Sequence, residues 1–237
     1  MKKSKNTKEN AATVEHSCEF CKSKFVREST LMTHVCESKR RWLNKDLQGN
    51  RVAFQVFVQF YQKNSVSKKP KTYEDFIKSV YYTAFTKFGN YCVNINAINI
   101  PRYSDWLIKN QIRIDTWCTD STYTKYLIEH LRSEDPLDAI HRSVETTMKL
   151  ASDESIQPKD VLRYVNANKL CQYIANGKLS PWILYQSTSG VELLDTLNET
   201  QVKMVLDYIN PEQWAIKFKR EPENVKQVKE ILNAGGY

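Results

Sequence analysis

Glycine is scarce in this chain, with six in 237 residues, and none of them forms a Gly-x-Gly-x-x-Gly or Gly-x-x-x-x-Gly-Lys loop that could cradle a phosphate. Ser187, Ser189 and Gly190 lack the Gly-x-Ser-x-Gly strand-turn-helix setting of an exposed nucleophile. Nor does any apolar run approach the roughly 20 residues of a membrane-spanning helix. Met1-Lys2-Lys3-Ser4-Lys5 is followed by no apolar segment and does not read as a signal peptide. There are only four histidines, and neither His130 nor His141 has a His or Cys partner one helical turn away, so a second metal cluster is not expected. Glu129 and His130 with Glu134, Asp135 and Asp138 could be drawn as a nuclease carboxylate group. On a helix such a mixture reads instead as solvated charge and capping. No fixed-period repeat or heptad run occurs, and the expectation is a protein without enzymatic activity.

Hydrophobic residues make up 41% and aromatics 11% of the chain, enough for a sizeable core. Cys92, Cys118 and Cys171 are widely spaced within apolar patterns and lack a basic setting that would activate them. Thiols of this kind behave as small hydrophobes, which points to a reducing interior: cytoplasmic, or nuclear in a eukaryote, and not secreted. Charge is divided unevenly. Residues 1–71 carry 16 Lys/Arg against 6 Asp/Glu, a net +10, whereas residues 72–237 carry 19 against 21, a net −2. The cations concentrate in Lys2, Lys3, Lys5 and Lys8, then Lys39-Arg40-Arg41, then Lys68, Lys69 and Lys71. A polyanion such as a nucleic-acid backbone is the partner this distribution suits, with an attraction that falls steeply with salt.

Inside the basic front lies Cys18-Glu-Phe-Cys21, followed by His34 and Cys36. Two thiols two residues apart can hold one ion through both sulfurs, and Cys18, Cys21, His34 and Cys36 together make a complete tetrahedral set for Zn²⁺. Phe25 and Leu31 between the ligand pairs are placed to pack a small strand pair on a helix. A redox pair would not call for Phe25, Leu31 and His34 at these spacings. The segment resembles a finger of the C2H2 type, matching Cys-x2-Cys-x3-Phe-x5-Leu-x2-His over about twenty residues. It departs from that family at the last ligand, because Cys36 follows His34 by two positions and Ser38 stands at the usual spacing of three. Two positions are about 200° around a helix, so both side chains can reach one ion only if the helix ends near Val35. The expectation is a short helix over about 28–35 with Cys36 in an unwound last turn. His16 is a reserve ligand by type, but its place in a frayed lead-in reads as that of a bystander.

The resemblance implies a structural role for one Zn²⁺, because so small a module needs the metal in order to fold. It also implies base-facing positions at Arg27, Thr30 and Thr33. Arg27 suits bidentate contact with guanine, whereas threonine reads bases ambiguously. One finger covers about 3 bp, too few to select a site alone.

The remainder reads as helical. Residues 1–15 form a polar, lysine-rich arm, 16–45 the finger with its basic flank, and 46–71 a helix and linker. Residues 72–237 form the body, with a sub-boundary near 152–158. Val52, Phe54, Val56, Phe57, Phe60 and Tyr61 suit an amphipathic helix over 49–62, although their clustering also allows a strand. Thr72-x-x-Asp75 caps a helix through Phe76, Val80 and Tyr81 that it, or a partner, continues to Gly89-Asn90. Residues 92–100 fit helix or strand. Tyr123, Tyr126, Leu127 and Leu131 share one face over 120–133. Asp135-Pro136 opens a helix bearing Leu137, Ile140, Val144, Met148 and Leu150 on its apolar side. Pro101, Pro158, Pro181, Pro211 and Pro222 mark further starts. The fold class expected is mostly α: a small ββα-like zinc finger at the N-terminus, then an all-helical body.

The function expected is nucleic-acid binding, to DNA more than RNA. The arm, the finger and Lys39, Arg40 and Arg41 meet phosphate, and Trp42 is available to stack on a base or to dock the finger. The body contacts a protein partner. The competing expectation is an assembly factor in which the finger is purely structural. The Lys-, Asn-, Ile- and Tyr-rich composition, with one finger on a helical body, is similar to that of uncharacterised proteins of large tailed phages.

Overall fold

The computed structural model describes residues 15–64 and 69–237; the arm at 1–14, with Lys2, Lys3, Lys5 and Lys8, lies outside them, as does Lys68. The chain divides into two compact units, Met1–Ile95 and Asn96–Tyr237. It is mostly α, and its one sheet among the described residues is a two-stranded ribbon near the N-terminus.

In the first unit, β1 (His16–Ser17) pairs antiparallel with β2 (Lys24–Phe25), and α1 (Glu28–Thr33), α2 (Glu37–Leu43), α3 (Gln48–Asn64), α4 (Tyr73–Lys78) and α5 (Tyr82–Asn94) follow. The stretch at 49–62 is therefore helix, with Ala53, Val56 and Phe57 buried. Phe57 packs on Phe76 and Phe85 with ring centroids 5.1 and 5.6 Å apart. The linker expected within 46–71 falls after α3, between two helices of the same unit, and its residues 65–68 lie outside the described ones.

The capping box at Thr72 is present: Thr72 N–H donates to Asp75 Oδ2 at 2.9 Å, and Asp75 N–H to Thr72 Oγ1 at 3.3 Å. The helix it opens is shorter than expected, because Ser79 is extended and Val80 is 90% exposed. The following helix does not stop at Gly89-Asn90 but passes through to Asn94. Gly89 serves packing instead. A Cβ built on it would lie 2.1 Å from the Gly49 carbonyl oxygen and 2.8 Å from Ala53 N, so the missing side chain lets α5 touch the backbone of α3. Replacing Gly89 by Ala must push the two helices apart. The loss expected is about 3 kcal/mol, the upper end for overpacking, against about 1 kcal/mol returned by alanine's helix propensity. Urea unfolding of the G89A variant checks it.

The second unit contains α6 (Ile100–Lys109), α7 (Asp120–Ser133), α8 (Pro136–Glu154), α9 (Val161–Tyr164), α10 (Ala167–Ala175), α11 (Pro181–Gln186), α12 (Thr188–Thr196), α13 (Glu199–Ile209), α14 (Pro211–Arg220) and α15 (Pro222–Ala234). Four of the prolines stand in the first turns of α6, α11, α14 and α15, and Pro158 opens a short 3₁₀ turn before α9. Residues 95–99 form neither helix nor strand, and Asn96 and Asn99 take left-handed backbone conformations, which asparagine tolerates. The buried face of α8 holds Ile140 and Leu150 as expected but is rotated away from two of the expected residues. Leu137 and Met148 are 40% and 56% exposed, while Ser143 and Thr147 are buried. Ser143 Oγ donates to the Ala139 carbonyl at 2.8 Å and accepts from Ser180 N–H at 2.9 Å, so its hydroxyl enters the core with both roles filled.

His130 and Glu134 likewise are not solvated; both are 4% exposed. Arg142 closes a bidentate pair on Glu134, Nη1 to Oε2 at 2.5 Å and Nη2 to Oε1 at 2.7 Å, and donates from Nε to the Gly177 carbonyl at 2.8 Å. Burial pushes the Glu134 carboxyl up, and the Arg142 bonds and charge pull against it. Asp135 is the N-cap of α8, and Glu129 accepts from Trp106 Nε1 at 2.7 Å, which accounts for the remaining carboxylates of that cluster as capping and packing, with Asp138 in the first turn.

His130 Nε2 lies 3.5 Å from Glu134 Oε2, its ring stacks on Tyr126, and the Arg102 and Arg142 charges act on it. Burial, then those two cations, lower its pKa from 6.5 to about 4. An unfolded chain takes up this proton before the folded one does, so stability falls as pH drops from 6.5 towards about 4. The contribution at stake is about 3 kcal/mol. In the H130L variant that share of the acid slope is expected to vanish from urea-unfolding curves collected between pH 7 and pH 4.

Candidate metal centre

The site is assembled from three short pieces of backbone. Between β1 and β2 the chain turns on itself, with Lys22 N–H donating to the Cys18 carbonyl at 2.8 Å and Cys18 N–H to the Ser23 carbonyl at 2.9 Å. Lys22 sits at φ 61°, a left-handed conformation that lets the turn close and aims the Cys18 and Cys21 sulfurs to one side. Cys18 is buried and Cys21 is exposed.

The second piece is the end of α1. The helix stops at Thr33, and His34 is already extended, at φ −70° and ψ 122°. The imidazole packs on Phe25 with centroids 4.8 Å apart, and its Nε2 lies 3.3 Å from Cys21 Sγ. The third piece is the start of α2. Cys36 is not in an unwound turn of the first helix but is the N-cap of the next, extended at φ −80° and ψ 166°, with Sγ accepting from Lys39 N–H at 3.4 Å. The break over 34–36 answers the geometric objection raised by a spacing of two, since the two ligands belong to different elements. Ser38 lies within α2 and is not one of the four.

The four ligand atoms of Cys18, Cys21, His34 and Cys36 all lie within 4.8 Å of one another, and Cys18 Sγ is 3.9 Å from Cys36 Sγ. Metal–sulfur bonds of about 2.3 Å and metal–nitrogen bonds of about 2.0 Å in a tetrahedron place ligand atoms about 3.5–3.8 Å apart. The cluster could therefore bind a metal ion once its ligand atoms draw together by up to about 1 Å. His16 is not a member; in the register of the ribbon it stands opposite Phe25. The surroundings favour thiolate at the exposed ligand. Hydrogen bonds with the Ser23 side chain and backbone, aided by His34, bring Cys21 from 9.0 to about 6. Partial burial pushes the Cys36 thiol the other way. An ion that needs both deprotonated would supply the remaining stabilisation itself.

Trp42 packs against Phe20 of the turn between β1 and β2, centroids 6.0 Å apart, and against Tyr73 of α4 at 5.7 Å, so its ring docks that turn onto the helices. Arg41 has the same kind of job. Its Nε lies 3.0 Å from Glu37 Oε1, its Nη1 donates to the Ile77 carbonyl at 2.7 Å, and its guanidinium sits over the Tyr82 ring at 4.4 Å. Lys39 Nζ donates to the His34 carbonyl at 3.1 Å. Arg40 is exposed and pairs with Glu37. Arg27 is the exposed N-cap residue of α1 and makes no side-chain cap, Thr30 is exposed, and Thr33 spends its hydroxyl hydrogen on the Ser29 and Thr30 carbonyls. Glu37, Ser23 and Lys22 were not singled out from the sequence. Only Glu37 left a readable sign, its spacing of three and four from Arg40 and Arg41.

Comparison with protein families, curated proteins and solved structures returns no match to this chain.

Proposed function

We propose that the ion is one structural Zn²⁺, that residues 16–45 are a finger of Cys₂HisCys type, and that the protein is a non-enzymatic nucleic-acid-binding accessory factor. The observation that carries this reading is the coincidence of the ligand cluster with the positive part of the chain. The quartet spans 18–36, inside residues whose net charge is +10 while the rest is −2. Arg27, Thr30 and Arg40 are the exposed contacts, with Arg27 aimed at a base and Arg40 at phosphate. Thr33 and Lys39 reach the ligand through what their backbone bonds leave free, and Arg41 supports the surface from beneath. DNA is favoured over RNA as the partner, and the helical body engages a protein.

Affinity for duplex and single-stranded DNA, measured near 50 and 200 mM salt, is the test. A binder that displaces several counterions is expected to weaken by tenfold or more over that range. Charge reversal at Arg27 and Arg40, both exposed, is expected to remove most of the remainder without unfolding the unit. Reversal at Arg41 would break the fold as well and is uninformative.

A second reading has its own support. Met32, Val35, Leu43 and Leu47, near the cluster in sequence, are 75%, 61%, 64% and 58% exposed. Apolar side chains so placed suit a protein partner, with the finger purely structural. Absence of DNA binding at low salt decides for it.

A further inference from the structure

Within the second unit, a cleft of about 220 Å³ lies between the end of α7 and α14, lined by Arg132, Gln213, Trp214, Lys217, Arg220 and Glu221 among others. Its single carboxylate is already engaged: Glu221 accepts from Lys217 Nζ at 2.7 Å and from Asn224 Nδ2 at 3.1 Å. Arg132 and Arg220 are different. Both are exposed, and among the described residues neither side chain has an ion pair or hydrogen bond. Two arginines without a side-chain partner therefore line one small cleft whose wall includes the buried Trp214. Like charges beside a low-dielectric wall repel more strongly than they would in open water. The ligand that relieves this repulsion is a compact group carrying about two negative charges.

We infer that this cleft binds a phosphoryl group. The guanidinium fork matches phosphate oxygens bidentately, the Gln213 amide can add a neutral donor, and two unpaired cations balance a phosphate dianion, whereas a lone carboxylate leaves one unpaired. The cleft lies below the size of sites that enclose drug-sized ligands, so it takes the phosphoryl group and its nearest attachment. That group belongs either to a nucleic-acid backbone or to a small phosphate ester. The inference stands apart from the metal centre, since no residue is shared.

Calorimetric titration of the full chain with inorganic pyrophosphate at low salt tests it. Saturable binding is expected, about tenfold weaker in R132Q or R220Q and undetectable in the double variant, with partial recovery in R132K/R220K. K219Q, which alters another exposed cation of α14 outside the cleft, is expected to bind as the parent does. Both arginines are free of partners, so the unfolding midpoint of each variant should stay put. No saturable binding at millimolar pyrophosphate, or a double variant that binds like the parent, overturns the inference. A single-stranded octanucleotide separates the two sources: displacement of pyrophosphate assigns the cleft to a nucleic-acid backbone, and simultaneous binding assigns it to a small phosphate ester. The R27E/R40E chain should keep its pyrophosphate affinity, so failure of the finger reading and failure of this one are told apart.

Discussion

Removing the proposed ion is expected to melt residues 15–36 while leaving α3, α4 and α5 folded. The reason is the near absence of any other stabilising core there. The strands are two residues each, α1 is six, and Cys18 is the one buried residue from 15 to 36. An isolated helix below about 12 residues is marginal in water. Metal binding, worth about 10–16 kcal/mol in finger-sized peptides, is what can hold such a segment.

Hydrogen exchange read by mass spectrometry, with and without a chelator, should show protection lost over 15–36 and retained over 48–94. Two variants at Cys36 separate its roles. C36S keeps an oxygen that caps α2 at least as well but removes a thiolate, whereas C36A removes both. Each is expected to weaken metal binding by orders of magnitude, and C36A should in addition fray α2. A purified chain with no stoichiometric metal and unchanged protection over 15–36 would defeat the whole proposal for the front end.

The second large effect belongs to the buried pair in the second unit. Arg142→Leu strands the Glu134 carboxylate, whose side chain is 3% exposed, and also removes the donor to the Gly177 carbonyl. Breaking a buried pair from one side costs about 3–5 kcal/mol. The companion variant E134L/R142L removes both charges, and most of the loss should return, because desolvation of two ions is then avoided. Urea unfolding at pH 7 measures both. A loss under about 1 kcal/mol for R142L would mean that water reaches the carboxylate.

These expectations show which properties are local. The ligand quartet was readable because metal chemistry prescribes residue type and spacing. The starts of α6, α11, α14 and α15 were readable because proline lacks an N–H that the first turn does not need. The capping box at Thr72 needs no partner outside four residues. All of these are short-range constraints written in the order of the chain.

Other features depend on what approaches from elsewhere. Gly89 reads as a stop and is a contact, because its meaning lies in Gly49 and Ala53, some forty residues earlier. Arg41 reads as a phosphate ligand, and only the fold adds that its guanidinium is also held by Tyr82 and Ile77. Ser143 and Thr147 stand outside the apolar set expected of α8 and are buried, since hydroxyls can satisfy themselves on their own helix and then on Ser180 or Tyr237. His130 and Glu134 read as surface charge until Arg142 closes over them. Composition, spacing and caps determined that this is a helical protein with a metal-ready, positively charged front. Which polar groups face water was decided only by the tertiary structure, because a polar side chain can leave solvent only when the fold brings its partner.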